Sequence, residues 1–370
     1  MSNAASIIHV TEQAHLADLA MQWQDAPLLA LDTEFLRETT FYPIAGLIQL
    51  SDARHQYLID PLTINDWAPL QRAFNGAVPK VLHACSEDLE IFAQLIGVPP
   101  QPLFDTQIGA ALAGFGFSLG YQALLKTCLD IDVEKEQTRS DWLRRPLSAE
   151  QCHYAALDVA YLPEVFALIS ARLHELGRFA WWQEEGQRTL AASREQITPQ
   201  NYYQKLSGAW RLNGTQIAAL QQLCAWREIE ARARNVPRGR IVKDPQLIEI
   251  AKALPRSLSE LSASGELHPQ QTRADGAKLL EIIEAARAIP AADWPASLPA
   301  PLPRESGSRL KRMRELIETR ALELNISPEI LARKRDCEML LRSGELSPAL
   351  QGWRKSIIGE PLLALHKTLG

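Results

Sequence analysis

The first half of the chain alternates short apolar runs with amphipathic stretches. Three apolar runs bounded by turn residues come first, at residues 28–31, 46–50 and 56–60. Their length and their flanking residues predict adjacent strands, and a fourth run at 78–84 predicts another. The spacing of apolar residues then predicts three helices, at 86–96, 119–129 and 149–176. Strands followed by interleaved helices predict a mixed α/β domain that ends near residue 186.

Strand signals vanish in the second half. Helical spacing is found at residues 209–234, 244–253, 257–261 and 271–288, and it resumes at residue 309. Five prolines between residues 290 and 303 predict a semi-rigid spacer. Segments 229–237 and 317–328 resemble each other, because each ends a helix at Asn plus an aliphatic residue before a proline restarts the next helix. We therefore predict a duplicated helical module and three domains, at 1–190, 207–289 and 304–370.

The formal net charge of -5 is an average over two unlike halves. The 370-residue chain carries 39 Lys and Arg against 44 Asp and Glu. Residues 1–190 hold 12 of the basic and 24 of the acidic side chains, which leaves 27 and 20 for residues 191–370. The average argues against a nucleic-acid binder, whereas the asymmetry indicates polyanion binding by the basic half. A drift in composition without function is the alternative.

Cysteine usage and hydropathy bear on the compartment. The five cysteines are an odd number without C-x-x-C spacing, which disfavours a disulfide framework and a thiolate zinc site. The N-terminus lacks the pattern of a signal peptide, and we find no apolar run of the length that a membrane span needs. We expect a cytoplasmic protein without a membrane partner.

Two carboxylates lie close together on the first long predicted strand. Asp32 and Glu34 are two residues apart, so their side chains project to the same face of the sheet. A hard divalent cation such as Mg²⁺ would relieve their repulsion. A solvated strand end is the alternative.

Two helices carry further candidates for chemistry. Asp88 stands in the first turn of a predicted helix, where an acidic side chain taken alone indicates a capping charge. Tyr154 and Asp158 lie one turn apart on one helix face, where they could hold a metal-bound water or form an ordinary surface pair. Ser148 and Gln151 match a capping box, which places both His153 and Tyr154 inside the helix. His153 stands five residues before Asp158, which rotates it about 140° from Asp158 around the helix axis. Tyr154, four residues before Asp158, is therefore its better partner.

The order of these motifs resembles the DEDD-type 3′–5′ exonucleases of the tyrosine subclass. More closely, four segments are similar to the ribonuclease D family, at residues 32–35, 83–89, 139–147 and 154–159. The helical half resembles two copies of the HRDC module (helicase and ribonuclease D C-terminal) that this family carries. The resemblance covers nearly the whole chain. It implies an α/β RNase H-like exonuclease domain with a mixed sheet, followed by two all-α HRDC-like domains.

The resemblance also implies a mechanism with two divalent metal ions, Mg²⁺ or Mn²⁺. Asp32 would bridge both metals, Glu34 and Asp158 would complete one site, and Asp88 would support the second. Tyr154 would orient the attacking water. The implied activity is stepwise hydrolysis of RNA 3′ ends to 5′-mononucleotides by a monomer, with tRNA precursors as the expected substrates.

Two other functions compete with this interpretation. One is a DNA 3′–5′ exonuclease of the same superfamily, since no residue identifies a contact with the ribose 2′-OH. The other is a catalytically silent nucleic-acid-binding protein, against which the presence of all four carboxylates argues. Seven residues are candidate nucleic-acid contacts: Thr33, His83, Arg139, Trp142, Arg144, Arg238 and Arg240. For Trp142 a structural clamp on its long loop is the favoured alternative. Structural ion pairs are an equal alternative for Arg139 and Arg144, and a solvated helix face with counter-charges is the alternative for Arg238 and Arg240.

Overall fold

The predicted mixed sheet is confirmed. The computed structural model describes residues 6–133, 140–195 and 197–368. Its strands are β1 (Ile7–Val10), β2 (Leu29–Leu36), β3 (Ile44–Ser51), β4 (Gln56–Ile59), β5 (Lys80–Leu82) and β6 (Leu103–Asp105). They form one sheet in the order β1-β4-β3-β2-β5-β6. The β1–β4, β2–β5 and β5–β6 pairs are parallel, whereas β3 and β4 are antiparallel.

The described chain separates into two compact units. The first unit contains Met1–Leu36, Ala45–Arg194 and Leu302–Gly370, and the second contains Arg37–Ile44 and Glu195–Pro301. The helices of the first unit before its C-terminal segment are α1 (Gln13–Gln22), α2 (Ala68–Asn75), α3 (Ser86–Leu95), α4 (Thr106–Ala113), α5 (Tyr121–Leu129), α6 (Ala149–Ala160), α7 (Leu162–Glu175) and α8 (Phe179–Arg194). The sequence analysis did not predict α1, α2, α4 or α8.

Successive residues of β2 face two different cores. Leu29 and Leu31 belong to a cluster with Phe74 and Phe92, while Ala30 belongs to a cluster with Val165 of α7. This alternation is the expected period-2 pattern of a strand buried on both faces. Asp32 and Glu34 continue the Ala30 side of the strand, so β2 brings them toward the side that α7 covers.

The helix predicted at 149–176 is two helices. α6 begins at the confirmed capping box, in which the Ser148 hydroxyl accepts from the Gln151 amide at 3.2 Å and the Gln151 side chain accepts from the Ser148 amide at 3.0 Å. The break comes at Tyr161, two residues before Pro163 in the first turn of α7. Proline lacks the amide hydrogen that would continue the α6 ladder, which accounts for the division.

The stretch Ala149–Glu175 is also long and apolar enough, by length and composition, to cross a membrane. That finding is weak, because a core helix of a folded domain meets the same criterion. Here the stretch includes Asp158 and Gln151 of the capping box, and Val165 and Ile169 of its apolar side lie in the core of the first unit.

Residue 186 lies inside α8 and does not end the domain. A Cβ at Gly186 would lie 2.1 Å from the Leu103 carbonyl oxygen, so this glycine permits close packing of α8 on β6. Nearby, the Arg178 guanidinium donates to the carbonyls of Leu112 and Leu324 at 3.0 and 2.7 Å. Arg178 therefore connects the sheet-containing part of the first unit to its C-terminal segment.

That segment contains α14 (Gly307–Leu324), α15 (Pro328–Leu331), α16 (Lys334–Ser343), α17 (Glu360–Thr368) and a π-helical turn (Lys355–Gly359). Its apolar side chains Met313, Ile317 and Leu340 belong to the same buried cluster as Phe104 and Trp182 of the sheet-containing part. The C-terminal helices are therefore integral to the core of the first unit.

The second unit is helical. It contains α9 (Gly214–Ala233), α10 (Arg238–Ile241), α11 (Asp244–Ala253), α12 (Leu258–Gly265) and α13 (Pro269–Arg287), preceded by a 3₁₀ stretch (Pro199–Lys205). The prediction for α11 is confirmed at both ends. The core of the second unit includes Phe41, because the segment Arg37–Ile44, which leads from β2 into β3, packs within this unit.

Candidate active site

Three elements of the first unit bring four carboxylates into electrostatic contact. β2 contributes Asp32 and Glu34, α3 contributes Asp88, and α6 contributes Asp158. Asp88 is 7% exposed, and the other three are partly buried. The negative charges of Asp88, Asp158 and Glu34 all act on Asp32. The structure therefore assembles the four acidic residues that the sequence analysis singled out.

Burial and mutual repulsion oppose ionisation of this cluster. Desolvation, followed by repulsion from Asp88, Asp158 and Glu34, raises the pKa of Asp32 well above its usual value. Desolvation and repulsion from Asp158 and Asp88 raise the pKa of Glu34 to about 8. Burial raises the pKa of Asp158 to about 7, although a hydrogen bond from Tyr154 favours its charged form. Raised pKa values of this kind are typical of carboxylates at functional sites, where a cation can neutralise their charge.

Thr33 joins two of the contributing elements. Its side chain points to the opposite face of β2 from Asp32 and Glu34, and its hydroxyl donates to Asp88 Oδ1 at 2.5 Å. Burial raises the pKa of Asp88 to about 6, against the opposing effect of this hydrogen bond. Thr33 is only 6% exposed, and its contact with nucleic acid stays a prediction. Its hydroxyl is committed to Asp88.

Asp105 is a structural residue of the site that the sequence analysis missed. Its carboxylate accepts from the amides of Ala84 and Cys85 at 3.1 Å each, and it caps α4 through the Gln107 amide at 2.8 Å. Ala84 adopts a φ of 55°, a left-handed conformation that a non-glycine residue enters at a cost of about 1 kcal/mol. Asp105 thus holds the turn that leads into the helix of Asp88. An Asp-Thr pair after an apolar run is the N-cap signal that would have identified it.

Two tyrosines border the carboxylates. Tyr154 hydrogen-bonds to Asp158, and its pKa is raised by burial and by the charges of Asp158, Glu34 and Asp32. Tyr121 donates to the Leu157 carbonyl at 2.9 Å, and burial and the charge of Asp158 raise its pKa as well. Tyr121 was not predicted. His153, the alternative to Tyr154, is exposed.

His83 lies beside the turn that Asp105 holds. The Thr106 hydroxyl donates to the Leu82 carbonyl at 3.0 Å, so the 2.9 Å contact between Thr106 Oγ1 and His83 Nδ1 requires Nδ1 to donate. Burial lowers the pKa of His83. Among the described residues, Nε2 is buried without a hydrogen-bond partner. A contact of His83 with substrate stays a prediction.

The segment before α6 holds three of the predicted nucleic-acid contacts. Trp142 is 3% exposed, so its ring offers no free face to a base, and the structure favours the clamp alternative. Arg144 is exposed and stays a candidate. Arg139 lies outside the described residues.

The basic residues of the second unit differ in their availability. Arg238 donates to both carboxylate oxygens of the fully buried Glu228, at 2.5 and 2.9 Å, and its guanidinium lies over the ring of Phe41 at 4.6 Å. The charge of Arg238 therefore neutralises a buried carboxylate, and a contact of Arg238 with nucleic acid stays a prediction. Arg240 is exposed and stays a candidate.

The donor set fits a hard divalent cation by its chemistry. Oxygen donors are the ligands that Mg²⁺ and Mn²⁺ prefer, and the charges that raise the pKa of Asp32 and Glu34 are those of other carboxylates. As the side chains stand, no group of three or more His, Cys, Asp or Glu residues in the described ranges is arranged to hold a metal ion. The four carboxylates therefore fit a divalent cation by residue type and by charge.

The chain is similar to known proteins over nearly its whole length. A family model described as 3′–5′ exonuclease matches residues 7–174, and one described as HRDC domain matches residues 216–283. The chain is 44% identical over 367 residues to ribonuclease D of Pseudomonas paraeruginosa, with 97% of each chain covered. It is 36% identical over 373 residues to ribonuclease D of Escherichia coli, again with 97% of each covered. The crystal structure of E. coli RNase D, described as an exoribonuclease involved in structured RNA processing, superposes with a TM-score of 0.92 at 34% identity, covering 97% of this chain and 98% of that one.

Proposed function

The chain belongs to the ribonuclease D family and is a 3′–5′ exoribonuclease, and from this premise we propose that Asp32, Glu34, Asp88 and Asp158 hold two divalent metal ions, Mg²⁺ or Mn²⁺, at its active site. Divalent metal use follows from the exonuclease family, whereas the number of ions and their identity are our proposal. The observation that carries it is the burial of four carboxylates beside one another. Burial raises the pKa of each, and repulsion by the neighbouring carboxylates raises the pKa of Asp32 and Glu34 further. Because these carboxylates lose their protons only near or above neutral pH, divalent cations can take the place of the protons there and neutralise the cluster.

The residues of the chain would divide the work of phosphodiester hydrolysis. Bound divalent ions would supply water activation and would neutralise charge on the leaving 3′ oxygen. The Tyr154 hydroxyl, which already hydrogen-bonds to Asp158, would orient the attacking water. Thr33 would keep Asp88 aligned through its hydrogen bond. The products would be 5′-mononucleotides.

The substrate and setting belong to the same proposal. We propose tRNA precursors and other RNA 3′ ends as substrates, a monomer as the active form, and a cytoplasmic location, which the five free cysteines support. The exposed Arg144 and Arg240 would contact phosphates. We also propose that 1–190, 207–289 and 304–370 are three modules of the sequence, of which the first and the third share one core, with the HRDC-like character of the third resting on its similarity to the second.

A magnesium titration on matched substrates tests the proposal. Hydrolysis of a 3′-labelled RNA should depend on Mg²⁺ and exceed that of the DNA of the same sequence. Asp32→Ala should abolish it, whereas Asp18→Asn, at an exposed position of α1, should leave it unchanged. Full activity of Asp32→Ala would refute the metal site, and preference for DNA would refute the substrate.

A further inference from the structure

A buried tryptophan packs against the tyrosine of the active site. Trp142 forms a small apolar cluster with Leu47, Leu58 and Ala155, and Tyr154 packs against this cluster. The ring centroids of Trp142 and Tyr154 are 6.2 Å apart, with 37° between their planes. This separation lies within the range of attractive aromatic pairs. Trp142 Nε1 has no hydrogen-bond partner in the described ranges, so packing holds the ring in place.

The backbone of Trp142 is held by a single arginine. The Arg145 guanidinium donates to the Trp142 carbonyl at 2.8 Å and to the Gly46 carbonyl at 2.6 Å. It also donates to both carboxylate oxygens of Asp60, at 2.6 and 2.7 Å. Gly46 lies in β3 and Asp60 directly follows β4, so one side chain joins two adjacent strands to the segment that carries Trp142. A bidentate arginine–carboxylate pair gives such a junction a defined geometry.

Gly46 shows how closely this segment lies on the sheet. A Cβ at residue 46 would lie 2.7 Å from both the Cβ and the carbonyl oxygen of Trp142. Only glycine leaves room for this approach. The position of the indole is therefore determined from two directions, by the arginine and by direct contact with β3.

We propose that Trp142 is a positioning residue for Tyr154, and that Arg145 and Asp60 hold Trp142 against the sheet for this purpose. Trp142 would act on catalysis by fixing the phenol beside Asp158, without contact with RNA. This inference rests on the proposed role of Tyr154 in orienting water. Small displacements of an orienting group lower the rate of the chemical step, so the effect should fall on kcat and leave KM nearly unchanged.

A double-mutant cycle between Trp142 and Tyr154 tests the inference. In the full-length protein, Trp142→Ala should lower kcat about tenfold on a 3′-labelled RNA, with KM within about twofold of the unaltered protein. In a Tyr154→Phe background, where the hydroxyl is absent, the same substitution should lower kcat by less than about twofold. Equal losses in both backgrounds would overturn the proposal, as would a loss confined to KM.

Two further substitutions keep the test informative if Trp142→Ala unfolds the protein. Trp142→Phe and Arg145→Lys each retain part of the contact, and each should lower kcat less than Trp142→Ala does and only when Tyr154 is present. Trp23→Phe is the matched control, because Trp23 is 1% exposed, also lacks a partner for Nε1 in the described ranges, and packs on Tyr57 in a different core. It should leave kcat unchanged.

The cycle is independent of the metal assignment. If Asp32→Ala remained active, the proposed ligand set would fail, while the comparison of Trp142 variants with and without the Tyr154 hydroxyl would keep its meaning. If Tyr154→Phe alone retained the full kcat, Trp142 would have no hydroxyl to position and this inference would be overturned.

Discussion

The Thr33 hydroxyl donates to the Asp88 carboxylate at 2.5 Å, and this bond connects the strand of two proposed metal ligands to the helix of a third. Asp88 is almost fully buried, and the hydrogen bond favours its charged form against the cost of desolvation. A residue between Asp32 and Glu34 that faces the other side of the sheet thereby tunes the same site.

Replacement of Thr33 by valine should weaken metal binding. Valine has the shape of threonine without the donor, so the pKa of Asp88 should rise further and more Mg²⁺ should be needed for half-maximal activity. Loss of a hydrogen bond to a charged group costs about 1.5–3 kcal/mol. Thr33→Ser retains the hydroxyl and is the matched control. Equal Mg²⁺ requirements for the two variants, measured by titration, would contradict the role assigned to this bond.

The acidic cluster should make metal-free stability depend on pH. The pKa values of Asp88, Asp158 and Glu34, at about 6, 7 and 8, are raised above those of unfolded carboxyl groups. Groups with a raised pKa stabilise the fold while they are protonated, so this stability is present in acid and is lost as the pH rises through these values. In a chelator, the melting temperature should therefore fall between pH 6 and pH 8.

Magnesium should reverse this trend. Metal competes with protons for the carboxylates, so its stabilising effect should be larger at pH 8 than at pH 6. Differential scanning fluorimetry with and without Mg²⁺ measures both effects. The variant carrying Asp32→Asn and Glu34→Gln should lose the part of the pH dependence that comes from these two groups, and it should keep the part that burial of Asp88 and Asp158 causes. A Mg²⁺-induced shift of equal size at both pH values would be inconsistent with the proposed site.

Tyr154 and His153 should differ sharply in their effect on catalysis. Tyr154→Phe removes the hydroxyl next to Asp158 and should lower kcat by about 100-fold, the range of a positioned proton-transfer or orienting group. His153→Ala changes an exposed side chain and should remain active. Steady-state kinetics on one RNA decide between them, and an inactive His153→Ala beside an active Tyr154→Phe would reverse the assignment.

Two neighbouring arginines of the second unit should separate stability from RNA binding. Arg238→Ala removes a partner of the buried Glu228 and should destabilise the fold by about 3 kcal/mol. Arg240→Ala should leave stability unchanged and should lower the slope of log affinity against log salt by about 1. Urea unfolding and salt-dependent RNA binding measure the two effects. An Arg238→Ala variant with an unchanged free energy of unfolding but weakened RNA binding would instead support the prediction that Arg238 contacts nucleic acid.

The sequence predicted the residues of the site better than their surroundings. Asp32 and Glu34 were placed on one face because strand periodicity is strict, and the α6 capping box placed Tyr154 relative to Asp158. Asp105 and Tyr121 escaped notice because their roles depend on contacts across 21 and 36 residues of chain, to Ala84 and Leu157. The pairing of Arg238 with Glu228 was not predicted for a related reason. The sequence around a basic residue of a helix does not indicate whether its partner carboxylate is buried.

The C-terminal segment offers the largest departure from the predicted picture of separate modules. Trp353 stacks on Trp181 of α8 at 4.4 Å with 10° between the rings. Glu185 of α8 accepts from Arg354 at 2.5 and 3.1 Å and from Trp353 Nε1 at 2.8 Å. These contacts join the segment to the sheet-containing part through a largely buried ion pair above a shared apolar core.

Glu185→Ala should therefore destabilise the whole first unit by about 3 kcal/mol, because it leaves Arg354 buried without its carboxylate. Glu318→Ala, which breaks the exposed pair with Arg314, should cost less than about 1 kcal/mol in the same urea titration. Equal costs would show that the Glu185–Arg354 pair stabilises the first unit no more than an exposed pair does. Deletion of 206–370, as a test of whether the basic helices tether RNA, would expose the core around Trp182 and Phe104. Loss of activity in that fragment would then report unfolding, so point substitutions such as Arg240→Ala are the appropriate test of tethering.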